Sequence, residues 1–180
     1  ITLFLLGFIS AQDYSHTKIQ AIPDLSFMKD VYTGLDILEQ MDFSQLKGKT
    51  ISILCNQASV NRNGQHLLTL LREVEDVHVL AIFLPQYGLF ASEDPKLKLM
   101  GNKSIDPIFG ARVIDLFERV LYPPEWSMRD ADLILIDMQD TGVRYTTFMA
   151  TVSKVLESAA KYRKPVLLLD RPNPLRGDVM

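Results

Sequence analysis

Four short apolar runs punctuate the chain: I-S-I-L at 51–54, V-H-V-L-A-I-F-L at 77–84, L-I-L-I at 133–136 and V-L-L-L at 166–169. Runs of this length, bounded by polar and turn-forming residues, predict strands buried on both faces, as in a parallel sheet. Helical spacing fills the gaps between them. Leu67, Leu68, Leu70, Leu71 and Val74 mark a helix between the first two runs. Between the last two, Phe148, Met149, Val152, Val155, Leu156, Ala159 and Ala160 follow i, i+1, i+4, i+7, i+8, i+11, i+12, an amphipathic helical stripe. Upstream, apolar residues at 35, 37, 38 and 41 predict a short amphipathic helix over Gly34 to Met41, and Lys47-Gly48-Lys49 then turns the chain. The segment from Gly110 to Phe117 adds a further strand, and Pro123-Pro124 ends whatever precedes it. Strand–helix alternation with parallel crossovers predicts an open α/β sheet. No internal repeat is present.

The two ends read differently. The opening I-T-L-F-L-L-G-F-I-S-A-Q lacks an initiating Met and is too short an apolar run to span a bilayer. It has the character of a signal-peptide core, with Ser10 and Ala11 as a small-residue cleavage site, and a buried first strand is its structural alternative. The chain is accordingly divided into a signal-peptide remnant over 1–11, a polar leader over 12–30 and an α/β domain over 31–180. The expected location is outside the cytoplasm, in the periplasm or beyond. The closing D-R-P-N-P-L-R-G-D-V-M ends in turn-forming residues after a strand, so the domain is expected to be incomplete at its C-terminus.

Composition narrows the function classes. With 180 residues, 47% of them hydrophobic against 23% charged, the chain carries enough apolar surface for a packed core and is neither disordered nor low-complexity. Its formal charge of −3 comes without any basic cluster, which argues against nucleic-acid binding. The single cysteine, Cys55, forms no internal disulfide or CxxC pair and reads as a small buried hydrophobe at a strand end. His16, His66 and His78 lack metal-ligand spacing, so no metal site is expected. Neither a G-x-G-x-x-G nor a P-loop pattern occurs, which leaves dinucleotide and nucleotide cofactors unsupported.

In an open α/β sheet, ligands sit beyond the carboxyl ends of the strands. Those exits are polar here: Cys55-Asn56-Gln57, Pro85-Gln86-Tyr87-Gly88, the stretch from Asp137 to Tyr145, and Asp170-Arg171-Pro172-Asn173-Pro174. Parallel strands would bring carboxylates, carboxamides, Arg144, Arg171 and two tyrosines to one rim, suited to a polyhydroxylated and anionic ligand. Structural roles stand beside this one. Asp140 or Thr146 suits a helix cap, Asp170-Arg171 a local ion pair and Asn173-Pro174 a turn. The R-E-V-E-D run at 72–76 reads as a solvated helix end, and Trp126 as either a sugar-stacking or a sheet-packing ring.

At these exits the sequence resembles the bacterial exo-β-N-acetylmuramidases of the NamZ type, long known as a domain of unknown function. The pieces that carry the resemblance are G-L-D-I-L at 34–38, L-K-G-K-T-I-S-I-L-C-N-Q at 46–57, D-M-Q-D-T-G-V-R-Y-T-T-F at 137–148 and L-D-R-P-N-P-L-R-G at 169–177. The resemblance implies a Rossmann-like N-terminal domain followed by a smaller C-terminal one, with the active cleft between them. It also implies removal of β-linked N-acetylmuramic acid from the non-reducing end of peptidoglycan fragments, without cofactor or metal. Asn56, Asp137, Asp140, Arg144, Tyr145, Asp170, Arg171 and Asn173 would line the sugar site, with Arg144 or Arg171 facing the lactyl carboxylate. Family members usually carry P-E-H-G after the second strand, with the glutamate as catalytic acid. Here the same place reads Pro85-Gln86-Tyr87-Gly88, so Gln86 and Tyr87 occupy the catalytic positions. A glutamine cannot transfer a proton to a leaving oxygen. Either a neighbouring carboxylate such as Glu93 or Asp94 substitutes, or the protein binds its sugar without cleaving it.

Overall fold

The computed structural model describes residues 7–9, 31–86, 88–89, 105–106, 109–117 and 120–174. Each apolar run becomes a strand: β2 (Lys49–Cys55), β3 (Val77–Leu84), β5 (Leu133–Asp137) and β6 (Val166–Leu169), with β4 (Arg112–Asp115) in the further segment. These five pair in parallel. A sixth strand, β1 (Gly7–Ile9), comes from the apolar opening and runs antiparallel along the outer edge of β6, Phe8 opposite Leu167. The sheet order is β1-β6-β5-β2-β3-β4. Among the parallel strands the chain thus winds outward from β2 to β4, then returns to the other side of β2 for β5 and β6. This is the open, doubly wound α/β arrangement of Rossmann-like folds, and its topological switch point lies between β2 and β5.

Helices cover both faces. On one side α1 (Gly34–Gln40) and α2 (Leu67–Leu71) bury Leu35, Leu38, Leu67 and Leu71 against Ile51, Ile53, Leu133, Leu135, Leu167 and Leu169. On the other, α3 (Glu125–Arg129) and α4 (Phe148–Lys161) bury Met128, Val152, Val155 and Ala159 against Leu54, Phe83, Ile134, Ile136 and Val166. The two sets alternate along each strand, as a side-chain period of two requires. The sequence pattern did not reveal α3: the Pro123-Pro124 pair ends the preceding segment and also opens a helix, Pro124 serving as its N-cap. Trp126 packs into this second core, with the Arg112 guanidinium 5.0 Å from its ring centre. A bulge in β3 sets Ile51 opposite Val79 and Ser52 opposite Ala81, leaving Leu80 outside the register. Cys55 is fully buried, and burial pushes its thiol far above the ordinary range, so it is a core residue. Residues 72–76 are exposed except for a half-buried Val74, and His78 is exposed. No helix among the described residues is long and apolar enough to cross a membrane.

Candidate functional site

At the switch point, β2 and β5 end side by side, with Cys55 paired to Asp137. The chain leaving β2 folds back on itself through Asn56. Its backbone N–H donates to Ser59 Oγ at 3.0 Å, and the Ser59 hydroxyl donates onward to the carbonyl of Asp137 at 2.6 Å. The Asn56 amide nitrogen donates to the carbonyl of Gln139 at 2.9 Å, while its oxygen accepts from Ala58 N–H at 3.2 Å. His66 completes the turn. Its Nδ1 accepts from Leu68 N–H at the start of α2, so Nε2 carries the hydrogen and donates to the Asn56 carbonyl at 2.9 Å. Asn56 is 1% exposed. It holds the rim together from beneath and presents nothing to the cleft.

Asp137 and Arg171 meet beside it. Both carboxylate oxygens of Asp137 accept from the guanidinium, at 2.5 Å from Nε and 2.9 Å from Nη2, and Nη2 also donates to the Val60 carbonyl at 3.1 Å. The pair is buried, with side chains 0% and 5% exposed. Burial pushes the Asp137 carboxyl above its usual value, against the downward pull of the guanidinium. Strand alternation explains the meeting: Asp137 continues the face of Leu133 and Leu135, and Arg171 that of Leu167 and Leu169.

On the opposite side of the β5 and β6 ends lies an open cleft of about 170 Å³. Met138, Met149, Val152 and Leu168 make its apolar floor, and Gln139, Asp140, Asp170 and Asn173 supply polar groups. Gln139 ties the two exits, its amide donating to the carbonyls of Asp140 at 2.9 Å and Pro172 at 3.1 Å. Asp140 organises the loop that follows it, accepting from Gly142 N–H at 3.2 Å and from the Thr146 hydroxyl at 3.4 Å, with Gly142 at φ +77°. Neither Asp140 nor Thr146 caps α4; Thr147 is the N-cap and makes no side-chain bond to the helix. Its hydroxyl instead donates to Gln86 Oε1 at 2.8 Å, holding that carboxamide half-buried at the end of β3. Arg144 and Tyr145 lie exposed on the loop between β5 and α4, Tyr145 at 86%. Asp170 is half-buried, accepting from Arg171 N–H at 2.9 Å, and burial raises its carboxyl above the ordinary value. Tyr87, Glu93 and Asp94 lie outside the described residues.

The structure therefore sets Asp140, Asp170, Arg171 and Asn173 around one cleft, ties Gln86 to the helix behind it, and keeps Asn56 and Asp137 underneath. Ser59, Gln139 and Thr147 complete the arrangement, although their residue types alone gave no reason to single them out. An apolar floor with a few convergent polar groups suits a small ligand that has one hydrophobic and one hydroxylated face.

Comparison with known proteins places this chain in a family. Residues 51–180 match the family described as exo-beta-N-acetylmuramidase NamZ, N-terminal. The chain belongs to the NamZ family. It is 31% identical over 148 residues to the peptidoglycan beta-N-acetylmuramidase NamZ of Bacillus subtilis (strain 168), covering 82% of this chain and 35% of that protein. Two crystal structures of DUF1343 family proteins from Bacteroides fragilis NCTC 9343 share the fold. One superposes with a TM-score of 0.70 at 27% identity, over 83% of this chain and 36% of its own. The other gives 0.63 at 32% identity, over 81% and 36%. The chain thus spans about a third of the length of the relatives it matches.

The NamZ-like segments acquire physical reasons in this structure. In G-L-D-I-L, Gly34 sits against the end of β6, and Asp36 forms a capping box with Thr33 while its second oxygen accepts from Arg62 N–H at 2.7 Å. In D-M-Q-D-T-G-V-R-Y-T-T-F, Asp137 pairs with Arg171, Gln139 bridges the exits, and the last threonine, Thr147, holds Gln86.

Proposed function

We propose that this chain is the N-terminal part of an exported glycoside hydrolase that removes β-linked N-acetylmuramic acid from the non-reducing end of peptidoglycan fragments. The observation that carries the reading is membership of the NamZ family, whose Bacillus subtilis member is named for acting on this linkage. The cleft fits the same ligand class: Met138, Val152 and Leu168 match the apolar face of a sugar ring, and Gln139, Asp140, Asp170 and Asn173 match its hydroxyls. Arg144, exposed and with no ion pair among the described residues, is the better partner for the lactyl carboxylate, because the Arg171 guanidinium is already closed on Asp137. Neither metal nor cofactor is required by this chemistry.

A second reading, a muramic-acid-binding protein without hydrolysis, draws on Gln86, a carboxamide where the family resemblance leads one to expect an acid. One experiment separates the two. The full-length protein is assayed on a chromogenic β-linked N-acetylmuramide while binding of free N-acetylmuramic acid is titrated calorimetrically. Turnover supports the hydrolase, saturable binding without turnover supports the binding protein, and neither response contradicts both.

Export rests on the apolar run at the chain's opening and its small-residue exit, and cleavage there would take edge strand β1 away with the leader. N-terminal sequencing of the native protein tests it, with mature chains expected to begin near Gln12.

A further inference from the structure

A glycosidic oxygen leaves as an alcohol only if something protonates it, and in most glycoside hydrolases that is a carboxylic acid. Gln86 cannot do so, and its amide oxygen is already engaged by Thr147. Three carboxyls stand at the ends of β5 and β6, and their surroundings differ. Asp137 is fully buried with both oxygens on Arg171. Asp140 faces the cleft, but both its oxygens are engaged within its own loop, by Gly142 N–H and the Thr146 hydroxyl.

Asp170 is different. One oxygen accepts from Arg171 N–H, and the other meets no donor among the described residues. Leu168 and Asp170 both line the cleft, while the Arg171 side chain is buried against Asp137 and the Val60 carbonyl. The backbone of Asp170 is pinned: its carbonyl accepts from Gly34 N–H at 2.8 Å. The Arg171 guanidinium is closed on Asp137, so among the described residues no ion pair holds the Asp170 carboxyl ionised. Half-burial then favours its protonated form.

We propose that Asp170 is the acid that protonates the leaving glycosidic oxygen in this cleft. The inference rests on the hydrolase reading above. The proton moves from the Asp170 carboxyl to the glycosidic oxygen as the bond from that oxygen to C1 breaks, the bonding pair staying on oxygen. Water adds to C1, the proton it loses passes to solvent, and solvent reprotonates Asp170. The Asp137–Arg171 pair is a positioning element, keeping a guanidinium next to Asp170 in sequence from acidifying it.

The test uses the full-length protein and two substrates, the β-linked N-acetylmuramyl–N-acetylglucosamine disaccharide and dinitrophenyl β-N-acetylmuramide, whose leaving group departs without a proton. Asp170→Asn should lower kcat/KM on the disaccharide by about 10²–10⁴-fold. It should change dinitrophenyl cleavage only slightly, and abolish the fall in disaccharide kcat/KM toward high pH. Wild-type cleavage of the disaccharide by Asp170→Asn would overturn the proposal and leave the hydrolase reading standing. So would equal losses on both substrates, or a leaving-group-selective loss in Glu93→Gln or Asp94→Asn instead. Absence of any turnover by the unaltered protein, with sugar still bound, would overturn the proposal together with the hydrolase reading.

Discussion

Gly34 and Asp170 touch backbone to backbone. The Gly34 N–H donates to the Asp170 carbonyl at 2.8 Å, and a Cβ on Gly34 would lie 2.6 Å from both Asp170 N and Leu169 Cα. The first turn of α1 is thus seated on the end of β6, where the cleft begins, and no side chain can be accommodated without moving main chain. Gly34→Ala is expected to destabilise the fold by about 1–3 kcal/mol, the usual cost of overpacking. Because the displaced atoms are the main chain joining Leu169 to Asp170, the same variant should lose sugar affinity while still folded. Urea denaturation and a binding titration on one preparation check both.

The Asp137–Arg171 pair predicts an asymmetry between single and double variants. Arg171→Met leaves a carboxylate with no solvent and no partner, and should cost about 3–5 kcal/mol. Asp137→Leu with Arg171→Met removes both charges and should recover most of that loss, since a buried pair contributes little net stability over an apolar replacement. Equal destabilisation by the single and double variants in equilibrium unfolding would contradict a desolvated ion pair.

Asp170 carries a pH signature. Its folded carboxyl is raised by burial, so the folded state holds this proton more tightly than the unfolded chain does. No penalty exists below the unfolded value of about 3.9, and the ionised group costs stability as pH rises through the higher folded value. Asp170→Asn, similar in shape and uncharged, should therefore be more stable than the parent near neutral pH, with the advantage vanishing in acid. Thermal melts across that range decide it, and a variant less stable than the parent at neutral pH would contradict a carboxyl strained by its site.

Thr147 and Gln86 lie 61 residues apart and share a single hydrogen bond. Thr147→Val removes the donor and should cost about 0.5–1.5 kcal/mol. Gln86→Glu keeps an acceptor of nearly the same shape and adds a titratable group at the position where the family resemblance leads one to expect an acid. Disaccharide cleavage is expected to rise, and to become less sensitive to Asp170→Asn. Unchanged kinetics in the double variant would mean that position 86 does not reach the glycosidic oxygen.

Period was the legible part of this chain. Strands β2, β3, β5 and β6 stood out as apolar runs, and α4 as a helical stripe, because burial on both faces or on one leaves a mark in every few residues. Helix α3 carried too short a stripe for that, and the apolar opening, read as a signal-peptide core with a strand as its alternative, contributes Gly7–Ile9 to the sheet edge. The rim was legible as a location: polar residues follow four strand ends, and the fold brings them together. Their division of labour was less so. Asp137 and Arg171 were both expected to face a sugar, and they bind one another across 34 residues of sequence, a pairing that strand parity could have suggested. Ser59, Gln139 and Thr147 work through partners 33 to 78 residues away, and such distances leave no local trace.

The most direct test of the account is product analysis of the full-length protein acting on peptidoglycan-derived oligosaccharides with a muramyl residue at the non-reducing end. Mass spectrometry should show free N-acetylmuramic acid and a chain shortened by that one residue, with no reaction when N-acetylglucosamine occupies the end. Intact oligosaccharides, or cleavage at internal linkages, would contradict it.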